Sequence, residues 1–152
     1  MPPGNRLISG AADACSTALL RSRTMTLDTL RSCIDSCNDC AIDCEHCAAA
    51  CLQEAEVKTL TRCIRLDLDC AEICRTAAIL MARGSERIAE FCGLCADICD
   101  ACAQECEQHA HMEHCRRCAE SCRRCAEECR RMSKAGTGQG MEGRRGTQSA
   151  AH

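Results

Sequence analysis

Twenty of the 152 residues are cysteine, and nineteen of them fall at helical spacing. Cys33, Cys37, Cys40, Cys44, Cys47 and Cys51 advance in alternating steps of four and three. Cys92, Cys95, Cys99, Cys102 and Cys106 follow the same rule, as do Cys115, Cys118, Cys122, Cys125 and Cys129. At about 100° per residue each set keeps within an arc of about 80°, so each forms one stripe on one helix face. Cys63, Cys70 and Cys74 make a sparser line that runs on to Met81, and Cys15 stands apart.

Aligned thiolates bind soft or borderline ions: Cu(I), Zn(II) and iron–sulfur clusters. An inert core is a poor account of the stripes, because thiols bury less apolar surface than Leu and are open to oxidation. A disulfide framework also fits badly within a stripe. Neighbours at i,i+3 and i,i+4 have Cβ atoms about 5–6 Å apart, whereas a disulfide requires about 3.5–4.5 Å.

Charge separates the metals. Each thiol that binds Cu(I) loses a proton and gains one positive charge, so a core with one Cu(I) per cysteine stays near neutral. Zinc held by four thiolates leaves surplus negative charge, which is costly to bury without a cation. A thiolate pair on one helix also suits the low coordination number of Cu(I). Iron–sulfur clusters favour loop-rich cysteine frames that are absent here. Multiple Cu(I) ions are the expected cargo, with zinc as the alternative.

Other soft donors sit near the stripes. The segment CEQHAHMEHC places His109 and His114 beside the cysteine lines, with His111 and Met112 in the turn between them. Imidazole and thioether both ligate copper, so these four residues are the expected mouth where ions are received. At the other end Leu30, Ala77, Leu80 and Met81 read as an apolar plug, with packing the first role of Met81. Asp67 lies close to the line of Cys63, Cys70 and Cys74; whether it faces the core or water is open at this point. His46 lies off the stripe and is expected to be exposed.

These donors need four long helices to hold them. The spacing predicts helices over about 27–53, 57–83, 86–109 and 112–132. Thr26 or Thr24 suits the first N-cap, Gly84 a C′ position and Ser85 the next N-cap. Both prolines lie at positions 2 and 3, and the body is rich in Ala, Leu, Glu and Arg rather than β-branched runs. Short connections make neighbouring helices antiparallel. The expected architecture is all-α: a four-helix bundle over 25–132 with a cysteine-lined core. It is framed by an N-terminal extension, 1–24, with a possible short helix over 11–20, and by a Gly- and Ser-rich tail, 133–152, expected to be disordered. Flanking residues agree, since Leu30, Ile34, Ala41, Ala48 and Leu52 adjoin the first stripe while Arg31, Asp35, Asp39 and Glu45 lie elsewhere.

Composition excludes several classes. The net charge of −3, without Trp or Tyr, gives no case for nucleic acid. No apolar run approaches the length of a membrane span. The N-terminal stretch is broken by polar residues and carries no A-x-A-like cleavage site, so a cytosolic setting with reduced thiols is expected. No hydrolytic or group-transfer site is visible, and the role is expected to be binding rather than catalysis.

The runs CIDSCNDCAIDCEHCAAAC, CIRLDLDCAEICRTAAIL and HAHMEHCRRCAESCRRCAEEC closely resemble the bacterial copper storage proteins, in particular the cytosolic branch. The resemblance covers about 27–132. It implies a bundle that stores Cu(I) along its thiol core, with His and Met near the open end, assembled as a homotetramer. A zinc or general thiolate-metal buffer is the competing reading. A thiol redox protein is the weakest, because no C-x-x-C lies in a βαβ pattern.

Overall fold

The computed structural model describes residues 25–137. The tails beyond them, with Cys15 and the short helix expected at 11–20, lie outside the described residues. Four α-helices follow one another: α1 (Leu27–Cys51), α2 (Thr61–Ala82), α3 (Ile88–Gln108) and α4 (Glu113–Thr137), with a 3-10 turn at Val57–Leu60 before α2. Each helix packs on its successor and α4 closes against α1, giving an antiparallel bundle. No described helix is long and apolar enough to cross a membrane.

Local signals set most of the boundaries. Thr26 caps α1, its Oγ1 accepting from the Thr29 N–H at 3.4 Å. At the end of α2, Gly84 adopts φ 66°, the Gly84 N–H donates to Met81 O and the Ser85 N–H donates to Leu80 O. These two bonds form a Schellman motif that requires the left-handed residue. The Ser85 hydroxyl accepts from the Arg87 N–H at 3.2 Å, but within a turn, so α3 starts at Ile88 rather than at the expected 86.

The last helix runs past its expected end at 132 to Thr137. Packing on α3 explains the extension. Gly136 lies so close to Ala89 that a Cβ there would fall 2.5 Å from the Ala89 Cβ, and Ser133 rests against Gly93. A glycine-containing segment that is a poor helix former alone is held helical by this close approach.

The core is unusual in what fills it. Nineteen cysteines are wholly buried, and alanines such as Ala41, Ala71, Ala96, Ala103 and Ala126 flank them. Bulky fully buried side chains sit towards the ends: Leu30 and Met81 at one, Leu60 at the other. Of the expected plug, Leu30, Ala77 and Met81 are buried and Leu80 is only half-buried.

Because thiols give little shape complementarity, helix register needs other help. At least one arginine–carboxylate pair spans each seam of the bundle. Arg75 pairs with Glu45 between α2 and α1 at 2.9 Å, and Arg62 with Glu105 between α2 and α3. Arg123 grips Glu107 with two bonds of 2.8 Å between α4 and α3, and Arg117 pairs with Asp43 between α4 and α1 at 2.9 Å. The two pairs exposed on both sides, Arg75–Glu45 and Arg123–Glu107, contribute little stability and so fix register more than they stabilise, whereas Asp43 and Glu105 are buried beneath their arginines.

Candidate metal centre

The four stripes meet on the bundle axis as one column of sulfur. Near the α2–α3 turn, Cys33 lies 3.7 Å and Cys37 3.6 Å from Cys129. Further along, the Cys74 sulfur is 3.6 Å from Cys95, 3.5 Å from Cys99 and 3.7 Å from Cys125. Cys70 meets Cys99 at 3.5 Å and Cys40 at 3.8 Å. Cys44 stands 3.6 Å from both Cys118 and Cys122. At the far end Cys63 and Cys106 are 3.5 Å apart, and Cys115 lies 3.8 Å from Cys47 and 3.9 Å from Cys51. Cys102 completes a group with Cys44, Cys118 and Cys122, and Cys92 is buried at the α2–α3 end.

These separations are those of free thiols in contact, well beyond a disulfide bond of about 2.05 Å. Among the described residues, several sets of four sulfurs have all members within 4.8 Å of one another. Examples are Cys40, Cys70, Cys74 and Cys99, and Cys47, Cys51, Cys63 and Cys115. Sets overlap: Cys40 and Cys70 also group with Cys44 and Cys122. Shared membership favours continuous bridging along the column over isolated sites.

Asp67 settles the question left open by the sequence. It is wholly buried and takes the place of a thiol in the α2 stripe, where positions 63, 67, 70 and 74 keep the four–three–four spacing. Thiols surround its carboxyl. Cys102 donates to Oδ1 at 3.1 Å, Cys106 and Cys118 each at 3.4 Å, and Cys63 faces Oδ2 at 3.8 Å. Burial, reinforced by the negative charge that Cys118 and Cys102 can carry, pushes the Asp67 carboxyl up to about 11. The thiols feel the same desolvation: Cys51 is pushed up to about 11, with burial the main cause. Contacts among the thiols act in both directions: Cys63, for example, is lowered by its contact with Cys106.

Geometry alone does not separate zinc from copper. With a Zn–S bond of about 2.3 Å, a tetrahedral site needs sulfurs about 3.8 Å apart, and the column offers that. Charge does separate them. The buried polar residues among those described are Asp43, Asp67, Glu105 and Ser121; three are acids and none is a cation. A zinc-filled core would keep surplus negative charge with no inward counter-ion.

The expected mouth gathers where α1 ends and α4 begins. His109 is 17% exposed and its Nε2 lies 3.6 Å from Glu105 Oε1. The other oxygen of Glu105 is held by Arg62. His114 is 12% exposed; its Nε2 is buried without a hydrogen-bond partner, and the Glu54 carboxylate is 4.0 Å away. Met112 is half-buried against the core, whereas His111 is exposed in the turn. So His109, His114 and Met112 stand against the end of the column and His111 on its rim. His46 is exposed, as expected. Glu105 was missed by the sequence reading; its signal was the i,i+4 spacing to His109.

Comparison with known proteins agrees. The family model described as copper storage protein matches residues 26–134. The Cu(I)-bound copper storage protein BsCsp3 of Bacillus subtilis is 46% identical over 68% of this chain and 97% of its own, with a TM-score of 0.66. A cytosolic copper storage protein from Streptomyces lividans, solved during copper loading with five coppers, is 41% identical over 71% of this chain and 94% of its own, with a TM-score of 0.68. The uncharacterized cysteine-rich protein YhjQ of Bacillus subtilis (strain 168) is 48% identical over 46 residues, spanning 30% of this chain and 43% of that relative's length. With the family pattern running over the whole bundle and solved relatives matched over nearly their full length, the chain belongs to the copper storage protein family.

Proposed function

We propose that this protein stores and buffers Cu(I), holding many ions on the thiolates that line its bundle. One observation carries the reading: a continuous column of nineteen buried thiols with no buried cation beside it among the described residues. Only a monovalent soft ion fills such a column and leaves it near neutral. The ligands are the nineteen core cysteines from Cys33 to Cys129, with Asp67 as an added oxygen donor within the column.

Ions are received at the end that carries His109, His111, Met112 and His114. His114 offers an unpartnered nitrogen there, and Glu105 steadies the His109 ring as a carboxylate behind a metal-binding histidine commonly does. The role is binding rather than catalysis, in the cytosol, where the Streptomyces relative is described. Self-association belongs to the same reading. The outer face of α2 and α3 forms an apolar groove of about 420 Å³ lined by Leu66, Ile73, Phe91 and Ile98, a surface suited to a second copy of the chain.

Anaerobic titration of the reduced protein with Cu(I) and with Zn(II), each against a competing chelator, tests the reading. Tight binding of many Cu(I) per chain with zinc displaced supports it, and preference for zinc overturns it.

A further inference from the structure

Four methionines occur among the described residues, and all four stand at the ends of the sulfur column. Met112 belongs to the histidine end. Met25, Met81 and Met132 gather at the other, just before α1, in the last turn of α2 and late in α4. Met25 and Met132 line one cavity of about 150 Å³, with Ile88, Gly136 and the α2–α3 turn at Gly84. Both pack onto the core, Met81 is 1% exposed, and Gly84 and Glu86 at the cavity rim are exposed. The same end carries the last thiols of the column: Cys33 and Cys129, 3.7 Å apart, and Cys92, which interacts with both.

Sealing this end needs no sulfur. Leu or Ile would fill the space with less liability to oxidation, as Leu30 does beside it. A thioether differs from them in one respect that matters here: it binds Cu(I) without losing a proton. An ion on thioethers keeps its positive charge and is drawn to a neighbouring thiol. There the S–H bond breaks as the S–Cu bond forms, the proton leaves to solvent, and copper remains Cu(I) throughout.

We propose that the end of the bundle opposite the histidines is a second passage for Cu(I), with Met25 and Met132 as its thioether receiving site, leading to Met81 and the thiols of Cys33, Cys92 and Cys129. This inference rests on the Cu(I)-storage reading.

The test uses the full chain, reduced and anaerobic, with methyl-13C methionine. In the His109→Ala, His111→Ala, His114→Ala variant, the first equivalents of Cu(I) should shift the methyl resonances of Met25 and Met132. Adding Met25→Leu and Met132→Leu, which keep size and apolarity, should slow loading a further tenfold or so, a loss of the order seen when metal-site residues are removed. Unshifted Met25 and Met132 resonances together with an unchanged rate would overturn the second passage. Should the combined variant fail to fold, the methyl shifts in the histidine variant decide alone. Total Cu(I) uptake by the unaltered chain reports separately on storage itself: high uptake with silent methionines rejects only the passage, whereas low uptake rejects the storage reading beneath it.

Discussion

Cys102 on α3 donates its thiol to Asp67 Oδ1 on α2 across 3.1 Å, inside a column otherwise built from sulfur. Burial raises this carboxyl from an ordinary value of 3.8 to about 11. A folded-state value above the unfolded one means stability that is fully present below about pH 4 and is lost as pH rises towards 11. The reduced, ion-free protein should therefore become less stable from pH 5 to 8, by about 1.4 kcal/mol per pH unit for the one proton involved. Asp67→Asn should flatten that slope and raise the melting temperature at pH 8. Thermal unfolding followed by circular dichroism checks this; parallel profiles for the two proteins would contradict it.

Copper uptake should release protons. Cys51 is pushed up to about 11, chiefly by burial, and thiols deeper in the column are desolvated at least as fully. Thiols raised in this way meet Cu(I) as S–H groups, so each of them should free about one proton as it binds an ion. Apparent affinity should then weaken by about tenfold for each unit of falling pH, per thiol deprotonated. A pH-indicator assay during anaerobic loading measures the ratio, and a value near zero would mean that the thiols were already ionised.

The histidine end should control rate more than amount. Replacing His109, His111 and His114 with Ala should slow loading by about tenfold, the scale of losing metal-site residues, while most of the capacity remains in the thiols. Glu105→Gln should slow it less and in the same direction, because Glu105 acts through His109 at 3.6 Å. Stopped-flow absorbance of the sulfur-to-copper transitions reports the rate. Unchanged rates in both variants would move reception of copper elsewhere.

Much of this arrangement was legible in the sequence because helical period and ligand chemistry coincide in the same residues. The cysteine steps of three and four gave both the helices and the inward face, and no competing apolar face challenged them. Gly84 and Thr26 announced their caps by residue type. Asp67 was harder, since its register placed it on the stripe while its charge argued for water; only the three thiols around Oδ1 settle its direction. The extension of α4 was hidden for the opposite reason. Gly136 lowers helix propensity locally, yet the same missing side chain allows the close approach to Ala89 that holds the helix. The arginine seams were invisible because pairs such as Arg117 and Asp43 are 74 residues apart in the chain.

The central claim is best tested by the number of Cu(I) ions one chain can hold. Reduced protein, titrated anaerobically against a strong Cu(I) chelator, should bind ions until the count approaches its nineteen core thiols, with added zinc unable to displace them. Saturation after only a few Cu(I), or displacement of copper by zinc, would contradict the account.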